Sequence, residues 1–232
     1  MIYTFWEGEM SAYIKLCLKT WDIQGLEYKV LNYENLHKYT NLNISKLRSN
    51  RRFELYHIAD IVRVHTLRDN GGYWIDADTI MLSDNLSDAN MIGIPEKRGA
   101  SIAFLHTEPQ ADMYIQWAKY QDDVINNLEY ETTWDMVGNA FADEYTKQHD
   151  EVTIEDISKY WPEETMISYN IPRKDKYIMF YFERQFALSS IEYANMLMLH
   201  NSWTPKWYKQ LSEQEVINRN CTMSNILREV TR

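Results

Sequence analysis

The segment from Phe53 to Asp78 constrains the fold of this chain more than any other. Phe53 to Asp69 predicts one long helix, because its apolar residues recur at helical spacing along one side. Asn70-Gly71-Gly72 ends that helix and starts a turn. The apolar run Tyr73-Trp74-Ile75 then predicts a short strand, and Asp76-Ala77-Asp78 follows at its carboxyl end. This order of helix, turn and strand is typical of α/β proteins.

The beginning of the chain shows the same alternation. Ile2 to Trp6 predicts a buried strand, residues 9–22 predict an amphipathic helix that Gly25 ends, and Tyr28 to Leu31 predict a second strand. A right-handed crossover makes two such strands parallel neighbours. We therefore expect an α/β fold with a mostly parallel central sheet flanked by helices. Weaker patterns predict further strands at Ile92–Ile94, Ile102–Leu105 and Tyr177–Phe182, and helices over residues 109–128 and 133–147.

Composition narrows the function classes. The chain has 232 residues, 45% of them hydrophobic, which suits a single domain over residues 1–232. A formal net charge of −10 argues against nucleic-acid binding, which requires clustered Lys and Arg. The two cysteines cannot form a disulfide framework. Because the first residues lack a secretory signal and no apolar run reaches roughly 18 residues, we expect a soluble, cytoplasmic protein.

The acidic pair Asp76 and Asp78 is the main chemical signal. Two carboxylates at the end of an apolar strand are costly to bury unless something compensates their charge. Mg²⁺ or Mn²⁺ would do so, since such ions take one or two carboxylates together with phosphate oxygens of a substrate. Ligands of α/β sheets collect at the carboxyl ends of strands, where Trp6 and Asn32 are also predicted. Most isolated Asp-x-Asp sequences are surface turns, but this context favours a cation that holds a diphosphate.

Asp60 and Arg63 lie three residues apart and so share one face of the predicted helix. They could form a surface ion pair of little energetic value. They could instead supply a carboxylate for sugar hydroxyls and a guanidinium for a phosphate or hydroxyl oxygen. The acidic pair that follows them favours the second interpretation.

These residues together resemble a known family. The block ADIVRVHTLRDNGGYWIDAD, residues 59–78, resembles the (S/A)D-x-x-R…GG-x-(Y/W)-x-D-x-D block of bacterial capsular-polysaccharide and related sugar transferases. That group is allied to the yeast initiating mannosyltransferases and, distantly, to the glucosylating domain of large clostridial toxins. Ile2–Trp6 and Leu31–Asn35 resemble the first two strands of the group, and His200-Asn201-Ser202-Trp203 resembles its closing H…SW element.

The resemblance implies a GT-A fold, with a nucleotide-sugar-binding half over residues 1–100 and an acceptor half with the closing loop over residues 101–232. It implies a metal-dependent, retaining transfer of a hexose from a UDP-sugar to a glycan in capsular, exo- or lipopolysaccharide synthesis. Asp60, Arg63, Asp76 and Asp78 would be the catalytic residues. Trp6 would stack on the uracil, Asn32 would bind the nucleotide, and Trp74 would lie near the ribose. Asp60 and Arg63 would bind the donor sugar. Mn²⁺ or Mg²⁺ would be held by Asp76, Asp78 and His200, and Ser202 and Trp203 would close over the diphosphate.

The acceptor side is less defined. Asp135 and Glu183 are candidate acceptor groups. A lipid-linked oligosaccharide acceptor would bring the protein to the inner face of the membrane, and the basic residues of 46–52 or 173–176 or the aromatic tail could make that contact. The alternative for 46–52 is an ordinary solvated surface. Two other functions stay open: a catalytically inactive nucleotide-sugar or carbohydrate-binding protein of the same fold, and a metal-dependent phosphohydrolase.

Overall fold

A computed structural model describes residues 1–127, 133–191 and 195–232. Within this part of the chain the strands are β1 (Ile2–Phe5), β2 (Tyr28–Leu31), β3 (Gly72–Ile75), β4 (Thr79–Met81), β5 (Met91–Ile94), β6 (Gly99–Thr107), β7 (Ile154–Asp156) and β8 (Met196–Met198). The α-helices are α1 (Ala12–Ile23), α2 (Ile44–Ser49), α3 (Leu55–Asn70), α4 (Asp112–Asn126), α5 (Asn139–Gln148), α6 (Pro162–Met166), α7 (Arg173–Ile178), α8 (Lys206–Lys209), α9 (Glu213–Asn218) and α10 (Thr222–Val230). No helix in these residues combines the length and the apolar character required to cross a membrane.

The described chain divides into two compact units, and both are discontinuous in sequence. Unit 1 comprises residues 1–7, 28–76 and 88–156. Unit 2 comprises residues 8–27, 77–87 and 157–232. The predicted division near residue 100 falls inside strand β6, which belongs to unit 1. The single domain over residues 1–232 stays a prediction.

Unit 1 contains a six-stranded sheet in the order β2-β1-β3-β6-β5-β7. Strand β1 runs parallel to β2 and β3, and β5 runs parallel to β7. Strand β6 is antiparallel to both of its neighbours, β3 and β5. Helix α3 packs on β1 and β3, α5 packs on β6, and α4 packs on α3. The predicted α/β class, with a mostly parallel central sheet and flanking helices, is confirmed.

Helix α3 brings the predicted site residues to the sheet. It begins at a reciprocal capping pair, in which Glu54 and His57 each bind the other's backbone N–H. Its apolar face, which includes Ile61, Val62, Val64 and Leu67, is fully buried. The helix ends at Gly71, whose φ of 64° is in the left-handed region that favours glycine. The chain then enters β3 and reaches Asp76 after four residues.

Unit 2 contains a two-stranded antiparallel sheet, β4-β8, on which helix α1 is fixed. The indole N–H of Trp21 donates to the carbonyl of Thr79 at 2.8 Å, and the backbone N–H of Met81 donates to Oγ1 of Thr20 at 2.8 Å. These bonds join the helix to the strand that directly follows Asp78.

One predicted element of the second half was wrong, and another begins later than predicted. Tyr177–Phe182 is helical rather than extended, since α7 continues as a π-helix over Met179–Glu183. The aromatic residues Tyr177, Phe180 and Tyr181 are all fully buried, a spacing that fits one face of a helix. The predicted helix over residues 133–147 begins only at Asn139, after a turn over residues 134–138. Residue 128, the predicted end of the preceding helix, lies outside the described residues.

Candidate functional site

Arg63 is the centre of a polar cluster in unit 1. Its Nη2 atom lies 3.0 Å from Oδ1 of Asp76 and 3.2 Å from Oδ1 of Asp60. Its Nη1 atom donates to the carbonyl oxygen of Ile102. The guanidinium carbon lies 5.0 Å from the ring centroid of Trp74, whose indole N–H donates to Oδ1 of Asp76 at 2.9 Å. Helix α3 and strand β3 thus bring together four residues that the sequence singled out.

The carboxylates of Asp60 and Asp76 differ in how much of their surface is exposed to solvent. The side chain of Asp60 retains 14% of its surface and that of Asp76 retains 32%. Burial raises the pKa of Asp60 to about 7; the positive charge of Arg63 opposes that rise and the negative charge of Asp76 adds to it. Asp60 is therefore the inner carboxylate, held by one guanidinium, while Asp76 is the outer carboxylate that a ligand can reach.

Residues far away in sequence complete the cluster, and sequence analysis missed them. Gly138 comes so close to Asp60 that a Cβ atom there would lie 2.5 Å from Oδ2 of the carboxylate. The amide of Gln121 donates to the backbone carbonyls of Asp60 and Val137, at 3.2 and 2.6 Å. The contacts of Gly138 and Gln121 with Asp60 join segments at least 61 residues apart, so no local sequence pattern predicts them. Only the Gln121–Val137 bond spans a shorter stretch of sequence.

Asp78 lies in unit 2, where it binds the C-terminal segment predicted to close over the diphosphate. Its Oδ2 atom accepts from the backbone N–H of Asn201 at 2.6 Å, and its carbonyl accepts from the backbone N–H of Leu199 at 3.0 Å. The Asn201 side chain in turn accepts a hydrogen bond from the hydroxyl of Tyr13. The structure therefore couples the position of the second aspartate to that of residues 199–201.

His200 lies among aromatic rings in unit 2. Its ring centroid is 3.9 Å from that of Trp203, 5.1 Å from Trp161 and 5.4 Å from Tyr177. Burial lowers the pKa of His200 to about 3, and Arg173 adds to the effect, so the imidazole is neutral at pH 7. Its Nε2 atom is buried without a hydrogen-bond partner among the described residues. Ser202, one residue before Trp203, is exposed.

The residues predicted to hold the nucleotide base lie at the ends of β1 and β2 in unit 1. The backbone N–H of Trp6 donates to the carbonyl of Leu31 at 2.9 Å, which fixes the Trp6 backbone beside the end of β2. Asn32 uses its side-chain oxygen in a local turn, where it accepts from the N–H groups of Glu34 and Asn35, each at 3.0 Å. Their roles in nucleotide binding stay predictions.

The two candidate acceptor residues belong to different units. Asp135 is half-buried in the turn before α5 of unit 1, where its Oδ1 atom accepts from the hydroxyl of Thr133 at 2.8 Å. Glu183 is exposed at the end of the π-helix in unit 2. The structure gives neither residue a link to the Arg63 cluster through a hydrogen bond or ion pair within the described residues.

A divalent cation requires oxygen ligands that a solute can reach, and Asp76 meets that requirement. Both of its hydrogen bonds, from Arg63 and from Trp74, fall on Oδ1, so neither engages Oδ2. Across residues 1–127, 133–191 and 195–232, no three His, Cys, Asp or Glu side chains form a cluster that could hold a metal by themselves. The residues present fit a Mg²⁺-type site, which takes few protein carboxylates and fills its shell with phosphate oxygens and water.

The chain is similar to solved glycosyltransferase structures. One is the PaToxG glycosyltransferase, with 16% identity over 63% of this chain and 67% of that one and a TM-score of 0.43. Two are crystal structures of the glycosyltransferase GlyE of Streptococcus pneumoniae TIGR4, one of them its apo form, each with 10% identity and a TM-score of 0.47. That match covers 99% of this chain, which spans 59% of the GlyE chain. No curated protein gives a significant match.

A protein-family model also matches the chain. The family is described as "Capsular polysaccharide synthesis protein", and the match extends over residues 1–220 of 232. It includes the 59–78 block and the 200–203 segment, on which the resemblance was based. The family prediction is confirmed: this chain belongs to the capsular polysaccharide synthesis protein family.

Proposed function

We propose that this protein is a metal-dependent, retaining glycosyltransferase of GT-A type that transfers a hexose from a UDP-sugar to a glycan acceptor during capsular, exo- or lipopolysaccharide synthesis. The observation that carries this proposal is the cluster of Asp60, Arg63, Trp74 and Asp76 in a member of a capsule-synthesis family. Family membership supports the pathway, and the cluster supports the reaction.

Each side chain of the cluster has a task in such a transfer. Arg63 is held on Ile102, Asp60 and Asp76, so its position does not depend on a bound ligand. A fixed guanidinium stabilises the negative charge that grows on the departing diphosphate as the bond from the sugar C1 to oxygen breaks. The inner carboxylate, Asp60, accepts hydrogen bonds from hydroxyls of the donor sugar. Trp74 orients Asp76 through its indole N–H.

Asp76 and Asp78 are the residues that would hold Mn²⁺ or Mg²⁺, and His200 is a further candidate because its imidazole is neutral. When bound, the cation supplies Lewis-acid neutralisation of the diphosphate. Ser202 and Trp203 follow the residue that binds Asp78, so we assign them to closure over the nucleotide. Trp6 and Asn32 are assigned to the base. The retaining outcome rests on family resemblance.

The acceptor is proposed to be a glycan or a lipid-linked oligosaccharide, which would bring the protein to the inner membrane face. The basic segment 46–52 is the proposed contact. Arg52 is engaged within unit 1, since it donates to the carbonyls of Val124 and Asn127 at 3.2 and 3.0 Å. Arg48 lies over the ring of Tyr33 at 4.7 Å. Lys46 and Arg51 are exposed, and although the Lys46 ammonium also donates to Oδ1 of Asn126, we assign both residues to anionic headgroups.

Hydrolysis of UDP-sugars with and without Mn²⁺ tests the proposal. We expect slow release of UDP that requires the metal and that Asp78→Ala abolishes while circular dichroism shows the fold intact. Asp150→Ala, which changes an exposed aspartate of unit 1, is the control and should behave as wild type. Hydrolysis that persists in EDTA would contradict metal dependence. Tight UDP-sugar binding with no hydrolysis and no transfer to any acceptor would favour an inactive binding protein.

A further inference from the structure

Two large aromatic side chains of unit 1 are exposed to solvent. Trp134 has 65% of its surface exposed and Tyr56 has 49%, and Trp134 is the most exposed large hydrophobic residue of the described chain. Tyr56 lies in the first turn of α3, and Trp134 lies in the turn over residues 134–138. An exposed pair of large rings at a polar site indicates a binding surface, because burial in the core would otherwise be favoured.

A hydrogen bond fixes both rings at the same end of α3. Nε2 of His57 lies 3.0 Å from the carbonyl oxygen of Thr133, which directly precedes Trp134. The imidazole of His57 also packs on the ring of Tyr56, with centroids 4.1 Å apart. His57 therefore holds the backbone at Trp134 next to Tyr56.

The same turn reaches the Arg63 cluster at its other end. Gly138 contacts the Asp60 carboxylate, and Gln121 binds the carbonyls of both Asp60 and Val137. The turn thus runs beside α3 from His57 to Asp60, a rise of about 4.5 Å, which is less than one helical turn. Tyr56 and Asp60 are also four residues apart and share a helix face. The turn that carries Trp134 and the helix that carries Tyr56 therefore both extend to the proposed donor-sugar carboxylate.

The chemistry of this surface matches a pyranose ring. Flat indole and phenol rings pack on the C–H face of a sugar, while the N–H and O–H groups at their edges bind hydroxyls. Asp135 and Thr133, on either side of Trp134, add a carboxylate and a hydroxyl that are joined at 2.8 Å. A phosphate ligand would instead require basic side chains, and none of these residues is basic.

We infer that Trp134 and Tyr56 form a subsite that stacks a hexose ring of the acceptor glycan beside the donor cluster. The inference rests on the proposed function for the place of the donor, and it adds the substrate class that this surface takes. Asp135, named from sequence as an acceptor group, then binds hydroxyls at the edge of the stacked ring.

Binding of defined oligosaccharides of two to six hexose residues tests the inference without catalysis. An array identifies the best binder, and calorimetry then measures its dissociation constant with each variant. We expect Trp134→Ala and Tyr56→Ala each to weaken binding by about tenfold, as for a central aromatic contact. Tyr169→Ala, which removes an exposed aromatic ring of unit 2, should bind the oligosaccharide as wild type does. A cooperative thermal melt with the wild-type Tm, measured without ligand, shows that each variant is folded.

The outcomes separate this inference from the proposed function. If Trp134→Ala and Tyr56→Ala keep the wild-type affinity, or if the wild type binds UDP but no oligosaccharide of the panel, the inference is wrong and the donor proposal stands. If the wild type binds oligosaccharide through Trp134 and Tyr56 but binds no UDP-sugar, the stacking surface stands and the proposed donor is wrong.

Discussion

At the scale of single residues, Arg63 satisfies several partners at once. Its planar guanidinium contacts two carboxylates and a backbone carbonyl and lies over the ring of Trp74. A lysine ammonium cannot reproduce this, because it is a point charge without the flat fork of donors. The two aspartates depend on that fork, since removal of one partner of a buried ion pair leaves an uncompensated charge.

Gly138 is predicted to control the position of Asp60. In Gly138→Ala the new Cβ would lie 2.5 Å from Oδ2 of Asp60 and 2.7 Å from Cδ1 of Ile102, so the carboxylate must move from its position beside Arg63. We expect kcat/KM for UDP-sugar hydrolysis to fall by about tenfold, the effect of 1.4 kcal/mol in the transition state. Gly99→Ala is the control, because a Cβ there meets nothing within 4 Å. Equal rates for the two variants would contradict this role.

Glu163 is predicted to make the stability of the fold depend on pH. It is 1% exposed, so its carboxyl group is almost entirely removed from water. Burial raises its pKa from 4.5 to about 8, so the folded state prefers the protonated form. This contribution to stability is complete below about pH 4.5 and is lost as the pH rises to about 8, by about 1.4 kcal/mol per pH unit.

Urea unfolding between pH 5 and pH 9 measures this effect. We expect Glu163→Gln to have a flatter profile than wild type and to become the more stable protein at the upper end of the range, because an amide cannot ionise. Glu34→Gln, at an exposed position, should keep the wild-type slope. A wild-type free energy of unfolding that does not fall over this range would show that Glu163 is ionised and compensated in the folded state.

At this scale the sequence predicted Asp60, Arg63, Trp74 and Asp76 well, since all four lie within one block of 17 residues. It did not predict the partners Ile102, Gln121 and Gly138, because only the folded chain brings them to the block. Nothing in the sequence around Gly138 indicates its role, which follows only from its proximity to the Asp60 carboxylate in the folded protein.

At the scale of elements, the turn between α3 and β3 positions the acidic pair. Gly72 has a φ of 85°, and a Cβ there would lie 2.5 Å from the carbonyl oxygen of Met1, which belongs to the neighbouring strand region. Glycine at position 72 of the predicted Gly-Gly turn is therefore required for two reasons, which are its backbone conformation and its close packing against Met1.

A pair of glycine variants separates these two requirements. Gly25 has a similar φ of 69° but open space around its Cβ position, so Gly25→Ala measures the conformational cost alone, about 1–2 kcal/mol. We expect Gly72→Ala to lower the free energy of unfolding by more than that, because the clash with Met1 adds to it. Chemical denaturation of both variants gives the comparison, and equal losses would show that the contact is relieved at no cost.

Elements with a long or repeated local pattern were predictable, and short ones were not. Helices α1 and α3 and strands β1, β2 and β3 lie within three residues of their predicted bounds. Strands β4 and β8 have three residues each and pair across 115 or more residues of sequence, so neither has a local signature. The strand predicted over residues 177–182 was wrong because aromatic residues have a high intrinsic preference for strands. Here the packing of Tyr177, Phe180 and Tyr181 on one side stabilises a helix instead.

At the scale of the whole molecule, the α/β class followed from the alternation of elements, whereas the strand order did not. The parallel pairing of β1 with β2 is the expected result of a right-handed crossover. The antiparallel pairing of β6 with β3 joins residues 29 to 35 positions apart in sequence, and no local pattern encodes it.

Binding of donor and metal is predicted to stabilise the whole protein. A ligand at 100 times its dissociation constant adds about 2.7 kcal/mol. For a chain of this size that corresponds to a rise in Tm of roughly 5–10 °C. We expect UDP with Mn²⁺ to produce this shift in a thermal melt, and we expect EDTA or Asp76→Asn to remove most of it. The Asp150→Ala protein is the matched control, and a UDP shift of the same size in EDTA would argue against a metal bridge.

Because segments of the two units alternate along the sequence, the ribosome completes the two units at different times. The chain passes between the units at five points, after residues 7, 27, 76, 87 and 156. Unit 1 has all of its sequence once Asp156 has been synthesised, whereas unit 2 still awaits residues 157–232. Strand β4 and helix α1 therefore leave the exit tunnel long before β8 and the last helices arrive. A nascent chain stalled near residue 156 would expose the apolar surface of β4 and α1, which makes it prone to aggregation until residues 157–232 are synthesised.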